Sequence, residues 1–465
     1  MPAAPAGVAK APARAYSTLA MPVEIIQSDR PLEDARVLRA IERLTEGNLT
    51  ASGAQRRDRA AVRQTVAEAI EAVERDGTDA VIEQTARLHD VTLTPDGIRV
   101  PGDEMAGALD DFRKRDGRFI GLIERATANI RAYQEHIRIA DPPELSRDGR
   151  KLAVRYTPVD RAAVYVPGGR AVYPSSVLMT VIPAQVAGVG EVVMISPPTH
   201  AGSVHPMIAA VAELLGVRTV YRVSGVAGLA AAAVGTDDIP RVDKIVGPGN
   251  AYIAEAKRQL FGRVGIDAIA GPSEVLIVAD ETAEPAWVAV DMLAQTEHDP
   301  GSAVLVTTSP GLAGAVAAEI DRQLDALGRA DAARHGIDKY SVVIVAPDLD
   351  AAADVANAFA PEHLQIITAD DEGALARIRN AGAIFVGAHT PVPVGDYYAG
   401  PSHVLPTGTT ARFSGPLSCN DFLKASSVVR YDADALAADA ADVADFARRE
   451  GLTAHAAAVE RRTEG

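Results

Sequence analysis

The chain has a single cysteine, Cys419, among its 465 residues. One thiol excludes an intrachain disulfide and any cysteine-based zinc cluster, and Cys419 reads as a small half-buried filler. An uninterrupted apolar run of the ~20 residues needed to span a membrane is also missing. Basic charge is in deficit: 46 Lys and Arg against 62 Asp and Glu leave a net −16. Spread along the chain, that charge serves solubility and argues against coating nucleic acid or an anionic membrane, since a polyanion would be repelled. The standard phosphate fingerprints, Gly-x-Gly-x-x-Gly and the Walker lysine loop, are absent. Gly271-Pro272-Ser273-Glu274 lacks the Gly-x-Ser-x-Gly order of a nucleophile elbow, so Ser273 is not read as a hydrolase nucleophile.

What is present is the composition of a globular protein, 48% apolar and 23% charged, long enough for two to four domains at ~100–200 residues each. The Ala- and Pro-rich segment 1–23 lacks the apolar core of a secretory signal and reads as a disordered extension. Met21 as an alternative start and an organelle transit segment are the other readings. Apolar residues at helical spacing (Val62, Val66, Ile70, Val73) predict a helix over 57–75 that ends at Asp76-Gly77. Further helices are expected over 105–112 and 119–137, with a β-like run at 98–100. After Gly149 short apolar strands alternate with helices, the signature of parallel β-α-β units with functional loops at the carboxyl ends of the strands. Strands are expected at 162–167, 191–195, 219–223 and 244–246, then, in a second series, at 275–279, 303–307, 341–345, 364–368 and 383–386. The expected fold class is α/β: two Rossmann-like domains of parallel sheet with flanking helices, a helical N-terminal region and an extended, partly helical C-terminal tail. The expected division groups 24–155 with 271–395 and sets 156–270 apart. The tail, 396–465, is too short to hold its own core and should pack on another domain or subunit.

Of the ten histidines, His298, His363, His403 and His455 lie near other candidate ligands. A helix opening at Pro285 puts Val288, Asp291, Met292, Gln295 and His298 on one face. Gln295 and His298 on that apolar stripe form either a buried hydrogen bond or a metal pair at i, i+3. Glu362-His363, between a helix end and a strand start, is either an ordinary surface dipeptide or two neighbouring proton-transfer groups. The stretch 395–403 packs Asp396, Tyr397 and His403 between glycines, with Asp396 a plausible hard ligand beside Gln295 and His298. Glu450 and His455 would ordinarily be exposed tail residues. Gly247-Pro248-Gly249-Asn250, opening the helix 251–260, could offer backbone amides to a phosphate.

Taken together, Tyr165-Val166-Pro167-Gly168-Gly169, the run 242–250, Ala270-Gly271-Pro272-Ser273-Glu274-Val275, Gln295-Thr296-Glu297-His298, Pro361-Glu362-His363-Leu364-Gln365 and His403-Val404-Leu405-Pro406-Thr407-Gly408 resemble histidinol dehydrogenase, over about 57–455. The resemblance implies a cytoplasmic homodimer with one Zn2+ per subunit, held by Gln295, His298, Asp396 and, from the partner, His455. It implies that Ser273, Tyr397, His403 and Glu450 join those ligands and His363 around L-histidinol, and that Tyr165 and Asn250 touch NAD. The implied reaction is the last step of histidine biosynthesis: L-histidinol and two NAD+ give L-histidine through bound L-histidinal. His363 would take the alcohol proton, and Glu362 would activate the water that hydrates the aldehyde. The chain departs from the family at Ala227, where a glutamine usually contacts NAD. One lost neutral hydrogen bond costs about 0.5–1.5 kcal/mol, or roughly 2- to 13-fold in affinity. Rival readings are a relative that oxidises another alcohol, such as a sulfonated diol, and a zinc hydrolase with Glu362 as base.

Overall fold

The computed structural model describes residues 23–45, 53–168, 172–298 and 301–463. The extension expected over 1–23 lies, apart from Val23, outside the described residues, as does Gly169. Two parallel sheets form the body. The larger has six strands in the spatial order Glu24–Gln27, Ser341–Val345, Gly301–Thr307, Ser273–Ala279, His363–Ile367 and Ala383–Val386. Its central strands are continuous apolar runs because both faces are covered. Val275, Ile277 and Ala279 join one buried layer, and Leu276 and Val278 the opposite one.

The smaller sheet has five parallel strands, in the order Thr219–Tyr221, Glu191–Ile195, Arg161–Tyr165, Lys244–Val246 and Gly265–Ile266. The expected run 98–100 attaches at its edge by one bridge, Arg99 to Tyr221. The helix Gly53–Asp76 places Val66, Ile70 and Val73 in the same buried cluster as residues of the helices Gly225–Val234 and Ala251–Leu260. The helices Gly102–Arg115 and Gly117–Ile137 likewise pack on the helices Pro206–Leu214 and Pro174–Ala187. Residues 53–137, expected with the larger layer, therefore pack on the smaller one, and 24–27 joins the larger sheet as its edge strand. Their apolar stripes face alanine-rich helices that need such a cover.

The tail carries a strand that the sequence reading did not expect. Its strand Leu423–Tyr431 pairs antiparallel with Arg150–Pro158, and Leu145–Arg147 completes a three-stranded sheet. Val404, Leu417, Cys419 and Phe422 enter the buried cluster beneath the smaller sheet. Cys419 is fully buried, its thiol donating to the Gln134 carbonyl. The helices Ala433–Arg449 and Thr453–Glu460 are joined to each other by a small alanine cluster, and Arg150 holds the first of them through Asp439.

Candidate active site

Helix Pro285–Thr296 runs against the larger sheet and brings Gln295 to the amino edge of its central strands. His298 lies just beyond the helix, in a turn where its N–H reaches the Gln295 carbonyl at 3.3 Å. A helical stripe through His298 therefore does not form. Close backbone passage explains two glycines here: a Cβ on Gly301 would sit 2.2 Å from the Gln295 carbonyl oxygen, and one on Gly382 would sit 2.6 Å from that of Glu362.

The chain enters the strand His363–Ile367 through Ala360, which is buried and left-handed at φ 49°. Proline at 361 disfavours the right-handed helical conformation at Ala360. The helix end takes the left-handed turn instead, at a cost of order 1–3 kcal/mol, and this turn sets Glu362 and His363 inside the protein. Glu362 is 6% exposed and His363 4%, so the reading of this pair as a surface dipeptide is set aside.

A chain of hydrogen bonds organises the cluster. The Gln295 amide donates to Ser273 Oγ at 2.5 Å, and Ser273 Oγ donates to Glu362 Oε2 at 2.6 Å. The Glu274 N–H reaches the same oxygen at 2.9 Å. His363 Nδ1 lies 3.0 Å from the Glu274 carbonyl oxygen, and its Nε2 lies 3.5 Å from Asp396 Oδ1. Nδ1 therefore carries a proton and donates to the Glu274 carbonyl, which leaves Nε2 as the working nitrogen.

Asp396 and Tyr397 sit on a five-residue π-helical turn, Gly395–Ala399, where the sequence reading expected a plain loop. Such turns recur at functional sites because they displace side chains from the regular helical register. The helix Gly117–Ile137 supports the turn: Asn129 donates to the Tyr398 carbonyl. His403 Nδ1 lies 2.9 Å from the Asp396 carbonyl oxygen, and its Nε2 lies 3.4 Å from Ser176 Oγ, on the helix that follows the carboxyl end of Arg161–Tyr165. The site thus lies between the amino edge of the larger sheet and the carboxyl edge of the smaller one. For the larger sheet this reverses the carboxyl-end expectation.

The electrostatics follow from burial and from the proximity of anions. Burial pushes the Glu362 carboxyl up from its usual range. Burial alone would lower His363, but Glu362 and Asp396 outweigh it and hold the imidazolium up to about 9. Burial raises Asp396, yet the His363 contact and charge leave it below the usual carboxylate range. His298 and His403 are kept neutral, chiefly by desolvation against the pull of Asp396.

Tyr165 lies buried at the carboxyl end of its strand, its hydroxyl against Gly225. Asn250 caps the helix Ala251–Leu260, its side-chain oxygen accepting from the N–H groups of Tyr252 and Ile253. A buried pair, Lys257 and Asp267 at 2.6 Å, holds the loop before that cap: Lys257 donates to the Gly247 carbonyl and Asp267 accepts the Gly247 N–H. Ala227 is fully buried inside its helix. Glu450 and His455 are exposed on a groove between the last two helices and make no hydrogen bond or ion pair with Gln295, His298 or Asp396 among the described residues. One chain alone therefore does not assemble all the expected ligands, and no group of three or more His, Cys, Asp or Glu able to hold a metal occurs among the described residues.

The sequence reading gave no role to Glu274, Ser176 or the Lys257–Asp267 pair. For Glu274 a signal existed, since it is an acidic residue opening a strand that is otherwise apolar.

The histidinol dehydrogenase family profile matches residues 53–463. The chain belongs to the histidinol dehydrogenase family. It is accordingly an NAD-dependent oxidoreductase. Histidinol dehydrogenase of Rhodopirellula baltica is 47% identical over 392 residues, which cover 84% of this chain and 85% of that protein. The Bacillus subtilis enzyme is 46% identical over 401 residues, or 86% and 93% of the two chains. Among solved structures, histidinol dehydrogenase from Elizabethkingia anophelis superposes with a TM-score of 0.86 at 30% identity, covering 95% of this chain and 98% of its own. No helix among the described residues of this family member is long and apolar enough to cross a membrane.

Proposed function

We propose that this chain catalyses the four-electron oxidation of L-histidinol to L-histidine through bound L-histidinal, reducing two NAD+, at the end of histidine biosynthesis. The observation that carries this reading is the pair of buried neighbours Glu362 and His363, with their oxygen and nitrogen 3.5 Å apart. Two oxidations at one carbon need two deprotonations, first of the alcohol and then of the water that hydrates the aldehyde. His363 serves the first through Nε2 and Glu362 the second. Asp396 decides which state His363 adopts. Facing Nε2, it keeps the imidazole protonated; turned toward a cation, it removes one of the two anions that do so and leaves a base.

The donor set fits a divalent ion. His298 is held neutral and Asp396 ionised, the states that ligation requires. We assign Gln295, His298 and Asp396 of one chain and His455 of the partner subunit to Zn2+, a nitrogen and oxygen set suited to it. When bound, the ion would supply Lewis-acid anchoring of the substrate's imidazole and amine. Ser273, Tyr397, His403 and the partner subunit's Glu450 complete the substrate pocket. Tyr165 and Asn250, at the carboxyl edge of the smaller sheet, face NAD. A homodimer is supported by the tail groove, where Val443, Phe446 and Leu452 are exposed beside Glu450 and His455. A dimer would cover these apolar side chains and deliver both polar ones to the neighbouring site.

The test is NADH formation from L-histidinol with added zinc, counted against alcohol consumed. Two NADH per histidinol is expected. One NADH with free aldehyde would show that Glu362 does not serve a second step, and turnover of a different alcohol alone would overturn the substrate. His363→Asn should stop the first oxidation, and Glu362→Gln should stop the oxidation of histidinal.

A further inference from the structure

Glu274 touches no candidate metal ligand, yet it is bound to both proposed bases. It is 2% exposed. Its side-chain Oε1 accepts from the N–H of Glu362 at 3.3 Å and of Gly408 at 3.0 Å. Its own N–H donates to Glu362 Oε2, and its carbonyl faces His363 Nδ1. The residue therefore ties together the start of a central strand, the strained turn after Ala360 and the loop that follows His403. Among the described residues it makes no ion pair, which is unusual for a buried carboxyl group.

We infer that Glu274 is a positioning residue for both bases, holding the Glu362 backbone and the Gly408 loop in register through one carboxyl oxygen. The inference rests on the reading of Glu362 and His363 as the bases. An acceptor oxygen is all that this role requires, and the carboxyl performs it as a neutral acid. Burial and the neighbouring Glu362 charge push its pKa up to about 8. The titratable groups facing it are Glu362 and His363. The adjacent strand presents Ser302, and the loop presents Thr407 and Gly408, none of which titrates near neutrality. Above pH ~8 a second buried anion would develop beside Glu362 and strain the arrangement that the neutral acid maintains.

The inference predicts that Glu274→Ala lowers kcat roughly 10- to 100-fold, the scale expected when a reacting group is displaced, while KM for histidinol stays within about twofold. Glu274→Gln keeps the acceptor oxygen without the charge and should recover most of that loss. It should also abolish the part of the alkaline decline that belongs to Glu274. Equal losses in the two variants, or an alkaline limb unmoved in Glu274→Gln, would overturn the inference.

Thermal unfolding without substrate provides a second readout should Glu274→Ala fail to fold. A carboxyl with a raised folded pKa lends stability that is full below its unfolded value and lost as pH rises through the folded one. The melting temperature of Glu274→Gln should therefore gain on the parent as pH rises from about 5 to about 8 and level off above that, and a constant difference across this range would refute the neutral acid. If the parent protein does not oxidise histidinol, the proposed function fails, while the unfolding comparison still decides the state of Glu274.

Discussion

Replacing Ser273 with alanine separates two roles that its hydroxyl could have. In the structure that hydroxyl accepts from Gln295 and donates to Glu362, so it supports the second base as well as lining the pocket. Ser273→Ala leaves Glu362 Oε2 with the Glu274 N–H alone. A hydrogen bond to an ionised acceptor is worth about 1.5–3 kcal/mol, which corresponds to roughly one to two pH units. The direction is upward, because the lost bond favoured the carboxylate, and it adds to the rise that burial already causes. A base works in its ionised form, so the acid limb of kcat for L-histidinal oxidation should move about one to two units toward alkaline pH. The assay is NADH formation from histidinal between pH 5 and 10, with Ser273→Thr as the variant that restores a hydroxyl. A fall in kcat that is uniform across pH, with the limb unmoved, would refute the support of Glu362 and leave Ser273 as a substrate contact only. Stability should change as well. The Gln295 amide, 5% exposed, loses its acceptor at a cost of about 1–3 kcal/mol. Because the raised folded pKa of Glu362 favours the folded state only at low pH, the deficit of Ser273→Ala should widen from acid toward neutral pH.

Lys257→Met breaks a buried pair and strands Asp267 beneath the Gly247 loop. About 3–5 kcal/mol of stability should be lost and NAD affinity should fall, as read by thermal unfolding and calorimetry; unchanged NAD binding would show that the loop does not meet the cofactor. Ala227→Gln should lower the melting temperature by the equivalent of about 1–3 kcal/mol of overpacking without tightening NAD, since Ala227 is fully enclosed; tighter binding would place the helix start closer to the cofactor than the structure does. Co-expressed Glu362→Gln and His455→Ala subunits should regain the histidine formation that neither homodimer has, because a ligand donated in trans leaves one intact site per mixed dimer; no recovery would mean that His455 acts within its own chain.

Elements whose burial is one-sided or complete were legible in the sequence. The strands Glu191–Ile195, Lys244–Val246, Ser341–Val345 and Ala383–Val386 and the helices Ala251–Leu260 and Pro285–Thr296 lie where the sequence pattern put them. The strand Leu423–Tyr431 was missed because most of it is exposed and its partner, Arg150–Pro158, lies in a distant part of the chain. The helices Ala35–Thr45, Thr78–His89 and Ala330–Tyr340 went unread between stronger neighbours. The packing of 53–137 on the smaller layer was hidden as well, since a helical stripe says that a face is buried but not against what. At the site, the residue pattern drew attention to Glu362, His363 and Asp396 and the resemblance added Ser273, and the fold brings the four together. Spacing could not show that Glu450 and His455 stay apart from them in one chain.

The placement of the cluster follows from the connections. Parallel strands must return by crossover helices, so the carboxyl end of every such helix arrives at the amino edge of its sheet. Gln295 and Ala360 each end a helix there and lead into the Gly301 and His363 strands. Two helix ends and the starts of two strands thus deliver an amide, a carboxylate and an imidazole to one edge. The smaller sheet offers its carboxyl edge instead, where the Gly247 loop opens a helix N-terminus capped by Asn250. Amides gathered at such an edge favour an anion, whereas the opposite edge of the larger sheet gathers proton acceptors. The 395–410 segment ties the two edges together, meeting the larger sheet through Asp396 and Gly408 and the helix after Arg161–Tyr165 through His403.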